Sequence, residues 1–372
     1  MRSRFYFALL LGLLFFFSCR KENDNAGAAP LRPALPLTPY DYESGTLFPA
    51  HFNQPPLTFI NSTPAYNQVT DEGATLGRVL FYERQLSRNG MVSCGSCHSQ
   101  ERGFGDPRPL SLGFEGGLTG RHAMAIGNVR FSGRFFWDLR ASGVENQVSM
   151  PLYNEVEMGM DSALLVTRVR QQGYYRALFT DAFGDTAVTE QRIRYALAQF
   201  IRAMTTFSSK YDEGVQNNFA AYSQLERDGK DFFFSGEFNC NHCHTTQNFY
   251  TTQALNNGLD AAPADSGFAA VSGDPADMGK FKVPTLRNIA VSAPYMHDGR
   301  FSTLEDVIEH YNSRIAADPN LDDRLTVEGM TGGTPKRYNM TAYQKAALVA
   351  FLKTLTDENF LHDPKFSDPF AH

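Results

Sequence analysis

The sequence predicts an all-α protein of two helical domains, with long loops and little strand. Three observations predict it. Apolar residues recur at helical spacing in four stretches, alternating strand patterns are sparse, and two CxxCH strings, at residues 94–98 and 240–244, fall one in each half of the chain. The 372 residues suffice for two domains with their own cores, and 42% hydrophobic with 20% charged residues fits a globular chain rather than a disordered one. The net charge of −6 lacks the basic excess that a nucleic-acid partner requires.

Taken in chain order, MRSRFYFALLLGLLFFFSC has the basic start, apolar run and small residue of a secretory signal peptide. Its apolar run is shorter than the roughly 20 residues of a spanning helix. Ser18 before Cys19 resembles a lipobox, in which Cys19 is acylated and becomes the mature N-terminus. Residues 1–19 are therefore assigned to a leader, and the protein is expected to be exported as a periplasmic or cell-surface lipoprotein. The polar, then proline-rich stretch 20–55 reads as a flexible tether. Residues 56–210 and 211–372 are assigned to the two domains, with the boundary somewhere in 206–225.

TDEGATLGRVLFYERQLS places Leu76, Val79, Leu80 and Phe81 on one helical face, and EQRIRYALAQFIRAMTTF does so with Ile193, Leu197, Phe200, Ile201 and Met204. Ser302 with Glu305 forms the pattern of a capping box opening a helix striped by Leu304, Val307, Ile308 and Tyr311. Thr341 with Gln344 opens the last helix, expected to run through Leu355. Residues 254–280, rich in Gly, Ala and Asp, read as a loop.

The cysteines decide the chemistry. With Cys19 in the leader, Cys94, Cys97, Cys240 and Cys243 remain, all in CxxCH units that also carry His98 and His244. A zinc site uses CxxC pairs, but usually close together and without a following His. A redox CxxC needs neither duplication nor His, and a disulfide across three residues staples almost nothing. Covalent c-type haem accounts for every part: two thiols add to the haem vinyl groups and the adjacent imidazole becomes the proximal iron ligand. Two haems are therefore expected, with His98 and His244 as proximal ligands.

Further landmarks are LGRVLFYERQLSRNGMVSCGSCH, FFWDLRA, the Q-x-x-x-P-x-x-x-x-x-E series ending in EMG, NCNHCH, VPTLRNIAVSAPYMHDGRF and AALVAFLKTL. Across residues 70–356 the chain resembles the bacterial di-haem cytochrome c peroxidases and their relative MauG. The resemblance implies two cytochrome c-like haem domains, peroxide reacting at the first haem and electrons relayed from the second, with Trp137 between them and Gln147, Pro151 and Glu157 lining the distal side of the first. Chemistry supports Glu157 independently, because peroxide heterolysis needs a proton moved from one oxygen to the other, which a carboxylate over an open iron site can perform. By residue pattern alone, Glu157 also reads as a solvated glutamate, Trp137 as a core aromatic and Tyr311 as part of an apolar stripe.

Two positions depart from the family pattern. Members that require reductive activation carry a second His sixteen residues after the first proximal one; here Phe114 stands there and cannot bind iron, so an open first haem is expected. His122 is the nearest alternative ligand. It falls where relatives have an asparagine of a calcium site otherwise built from the carbonyls of Ser292 and Pro294, which puts calcium in doubt. At the second haem, the distal methionine of the peroxidases is replaced by Tyr311, as in MauG; Met296 and Met330 are the other candidates. A phenolate favours oxidised iron where a thioether favours reduced iron.

The resemblance thus implies a peroxidase taking electrons from a small donor protein, a cytochrome c or cupredoxin, with a homodimer as the expected assembly. A MauG-like oxidase acting on residues of a partner protein is the alternative. A non-catalytic di-haem electron carrier is a third reading, and would need both irons closed and Glu157 incidental.

Overall fold

In the computed structural model, residues 32–43 and 48–370 are described; the leader, Cys19 and the tether up to residue 31 lie outside them. The all-α expectation is borne out, since the only strands in the described residues are four of two residues each. Helix α1 (Asp71–Tyr82) starts at Thr70, whose side chain accepts from the Gly73 N–H, with Asp71 and Glu72 in the positive first turn. Helix α2 (Glu190–Ala203) starts the same way at Thr189, and its predicted face is buried. In the other half, capping boxes open α3 (Gln224–Phe234) at Ser223 and Glu226, and α5 (Ala342–Lys353) at Thr341 and Gln344. Helix α5 ends two residues before the expected Leu355.

The halves repeat one design. α1 crosses α2 at Gly77, where an added Cβ would stand 2.0 Å from the Ala196 carbonyl oxygen. α3 crosses α5 at Gly229, where it would stand 1.9 Å from that of Ala347. Only glycine lets either pair approach so closely. Beyond each pair, an asparagine with positive φ, Asn128 at 63° and Asn288 at 59°, ties a loop to the chain just past the second helix. Asn128 exchanges side-chain bonds with the Thr206 backbone, at 2.8 Å each way, and the Asn288 Oδ1 accepts from the Asp357 N–H at 2.8 Å.

One apolar core surrounds α1 and α2, a second surrounds α3 and α5. The last residues return to the first core: Phe360 and Phe366 join Phe104, and the Tyr82 hydroxyl donates to the Phe366 carbonyl at 2.7 Å. Residues 33–43 and 48–55, expected as tether, also pack down. Tyr42 is buried and donates to the Lys365 carbonyl at 2.7 Å, while Phe52 is buried against Leu57 and Phe131. Proline-rich composition concealed these aromatic anchors.

Helix α4 (Leu304–Glu309) starts one residue later than expected. The Thr303 hydroxyl, not Ser302, accepts from the Asp306 N–H at 3.1 Å and donates to the Asp306 carboxylate at 2.6 Å. It runs on as a π-helical turn, His310–Arg314, that carries Tyr311. The hairpin of β1 (Arg134–Phe135) and β2 (Ala141–Ser142) flanks Trp137. The predicted loop 254–280 contains β3 (Ala254–Leu255), which pairs with β4 (Phe281–Lys282).

Candidate active site and haem pockets

Each CxxCH string folds as a tight turn. The N–H of His98 donates to the Cys94 carbonyl at 3.0 Å, and that of His244 to the Cys240 carbonyl at 3.1 Å. The imidazoles are fixed in the same way, His98 Nδ1 on the Phe104 carbonyl at 2.7 Å and His244 Nδ1 on the Phe249 carbonyl at 3.0 Å. Burial lowers the pKa of both, that of His244 to about 4, so each ring is neutral, with its proton on Nδ1 and Nε2 as the nitrogen able to bind a metal. Among the described residues none of the four cysteines forms a disulfide, and burial pushes Cys94 and Cys240 up to about 12. Among the described residues no three His, Cys, Asp or Glu side chains converge as zinc ligands would.

A long cavity begins at Cys240, Cys243 and His244 and is lined largely by apolar residues such as Phe233, Phe238, Ile308, Leu348 and Leu352. The Tyr338 hydroxyl on its wall is buried without a hydrogen-bond partner among the described residues. Two thiols, a free imidazole nitrogen, an apolar slot and an unpartnered polar atom together fit a covalently held haem. Tyr311 lines this cavity, and burial pushes its hydroxyl up to about 12, so it stays a phenol unless a cation stands beside it. The Asn257 side-chain nitrogen lies 3.5 Å from the Tyr311 oxygen. The extra residue of the π turn sets Tyr311 in its place, a common feature of functional helices. Met296 also lines the cavity; Met330 lies outside it and is 59% exposed.

The same cavity extends to Trp137 and His122. Trp137 Nε1 donates to the His122 carbonyl at 2.8 Å, and the His122 N–H donates to the His297 carbonyl at 2.8 Å. The His297 ring lies 6.5 Å from the Trp137 ring and stacks on Phe281 at 3.8 Å. Trp137 thus joins the two halves. His122 Nδ1 faces the Arg108 and Pro109 carbonyls at 3.1 and 3.2 Å, which occupies that nitrogen as a donor. Ser292 and Pro294 line the cavity with it.

At the first haem site, the 111–119 loop lies against residues 154–159. The Phe114 N–H donates to the Glu157 carbonyl at 3.0 Å, and the Phe114 ring covers Gly159, where a Cβ would meet it at 2.3 Å. Gln147 and Pro151 lie on consecutive short helices, Val144–Gln147 and Ser149–Tyr153, just before Glu157. The first of these is anchored by the buried pair of Glu145 with Arg202, at 2.5 and 2.7 Å. Glu157 is half-buried, and among the described residues its carboxyl accepts no hydrogen bond. Burial raises its pKa while Arg140 opposes the shift, and its charge in turn raises the thiols of Cys94 and Cys97. The structure therefore brings Glu157 and Phe114 to the first thioether site. Arg140 is a further residue of this site, and its sequence signal is its place in FFWDLRA three residues after Trp137.

Residues 71–220 match the di-haem cytochrome c peroxidase family. The chain is 32% identical over 293 residues to the methylamine utilization protein MauG of Methylophilus methylotrophus, covering 78% of this chain and 84% of that one. It is 32% identical over 289 residues to the cytochrome c551 peroxidase of Nitrosomonas europaea, covering 77% and 80%. The crystal structure of a MauG-like protein associated with microbial copper homeostasis superposes with a TM-score of 0.76 at 36% identity, covering 86% of this chain and 99% of that one. With two CxxCH turns, two free imidazole nitrogens and this likeness along most of its length, the chain belongs to the family of di-haem cytochrome c peroxidases and MauG proteins, oxidoreductases that carry two c-type haems.

Proposed function

We propose that this protein is an exported di-haem peroxidase that reduces hydrogen peroxide to two waters, using two electrons from a small redox protein and two protons. The observation that carries the reading is Glu157, a half-buried carboxyl with no hydrogen bond among the described residues, set beside Phe114 where a His would block the first haem. When bound, the haems supply one-electron redox chemistry and an iron site open to peroxide. Glu157 takes a proton from one peroxide oxygen and returns it to the other, and its partial burial, which raises its pKa, favours the protonated form it passes through. By the family pattern, Gln147 and Pro151, on the two short helices just before Glu157, line the distal side of the same haem. Trp137, hydrogen-bonded to His122 and packed on His297, is the route for electrons between the halves.

Glu157→Gln tests this directly. It is expected to lower peroxide turnover with reduced cytochrome c by about 10²-fold or more while leaving the absorption spectrum in place. Unchanged turnover would remove Glu157 from the reaction.

Tyr311 favours a second reading. A phenol lining the second cavity points to a MauG-like oxidase, which holds oxidising equivalents and takes electrons from side chains of a partner protein. Rapid consumption of peroxide with reduced cytochrome c supports the first reading; slow consumption with a long-lived oxidised state supports the second. For localisation, the leader and Cys19 support export and a lipid anchor. Among the described residues no helix is long and apolar enough to cross a membrane.

A further inference from the structure

One charge on the wall of the cavity that begins at Cys240, Cys243 and His244 is used by none of this chemistry. Lys282, in β4, lines the cavity together with Ser132 and Trp137. Its Nζ donates to the Ser132 hydroxyl and the Arg134 carbonyl, both at 3.1 Å, and stands 5.3 Å from the centre of the Phe135 ring. Both acceptors are neutral. Most cations packed into the fold face a carboxylate: Arg121 with Asp138 and Asp265, Arg130 with Glu43, Arg202 with Glu145 and Arg287 with Asp212. Arg78, like Lys282, meets neutral oxygens, but it lies outside the cavity. No Asp or Glu of the described residues pairs with Lys282, and burial alone pushes its pKa down to about 8. An ammonium has three donors, and on Lys282 two meet neutral oxygens, which leaves the third and the whole charge for an anion in the cavity.

The chemistry of the cavity indicates the anion. A haem joined through its vinyl groups to Cys240 and Cys243 brings two propionate carboxylates into an otherwise apolar slot. We propose that the Lys282 ammonium binds a propionate of the second haem, held in position by Ser132 and Arg134. This rests on the second haem occupying the cavity. The contact links that haem to the N-terminal half, because Ser132 and Arg134 flank the Trp137 hairpin and the Lys282 N–H donates to the Trp137 carbonyl at 2.7 Å. Lys282 is therefore a positioning residue for the haem and a fixed positive charge beside it.

The test uses the full, haem-loaded chain with Lys282→Met and Lys282→Arg, reading the midpoint potential of each haem and the propionate bending bands in resonance Raman spectra. Losing the positive charge favours the oxidised iron. Lys282→Met should shift one haem to lower potential by about tenfold in its oxidised-to-reduced ratio, ~59 mV for one electron, and move a propionate band. Lys282→Arg should keep both near the wild-type values. Unchanged potentials and bands in Lys282→Met with both haems retained would overturn the proposal. Should Lys282→Met lose the second haem, retention of that haem in Lys282→Arg supports the charge pairing and its loss there overturns it. Haem counting on the wild type separates the two failures: fewer than two haems per chain refutes the haem reading rather than the role of Lys282.

Discussion

Tyr311 and Met296 are both placed to be the second haem's distal ligand, because the oxygen of one and the sulfur of the other lie in one cavity, each within 3.6 Å of the Asn257 side chain. The π turn presents the phenol, and burial keeps it protonated until a metal displaces the proton. As a ligand it donates strongly to oxidised iron and holds the potential low. Tyr311→Phe is therefore expected to shift the second haem's midpoint potential positive in a spectroelectrochemical titration, and the wild type to lack a methionine-to-iron charge-transfer band. An unchanged potential with that band present assigns the ligand to Met296. Much of this site is legible in the sequence, because the two thiols and the imidazole of each haem are contiguous. The approach of Trp137 to His297, Arg140 near Glu157 and Lys282 against Ser132 is not legible, since these partners are brought together from distant parts of the chain only by the fold.

Among the helices, the crossings at Gly77 and Gly229 set the width of each haem-bearing half. An alanine at Gly229 would place its Cβ 1.9 Å from the Ala347 oxygen and 3.0 Å from the Phe351 Cβ, so α3 and α5 must separate. Gly229→Ala should destabilise the protein by about 1–3 kcal/mol, measured by denaturant titration, with most of the loss in the C-terminal haem's absorption. A variant as stable as the wild type would show that the crossing relaxes freely. The stripes of α1, α2 and α5 are readable because helical periodicity is local. The start at Thr303, the π turn after Glu309 and the return of residues 360–370 to the first core are not, because each is settled by packing against elements far away in sequence.

An ion pair locks the C-terminal half internally, and a bond from His51 ties residues 48–55 to it. Arg287 grips Asp212 through two bonds of 2.7 and 2.8 Å, and His51 and Ser209 add bonds of 2.8 and 2.6 Å to the same carboxylate. Burial would raise the pKa of Asp212, but Arg287, His51 and Ser209 outweigh it and hold the carboxyl well below the usual range. A carboxylate depressed in the folded state stabilises the protein fully above its ordinary value of about 3.9, and that contribution fades as pH falls below it. Asp212→Asn leaves Arg287 buried without its partner and should cost ~3–5 kcal/mol at pH 7, the gap to wild type narrowing below about pH 4. Equal stabilities at pH 7 would mean that the pair is neutral to the fold.

An open first haem guarded by Glu157 and Phe114 is the centre of this account, and electron paramagnetic resonance of the oxidised, as-isolated protein tests it most directly. The expected result is a high-spin ferric signal that disappears on adding stoichiometric peroxide. Two low-spin signals indifferent to peroxide would contradict it, because another side chain would then close the iron that Phe114 leaves open.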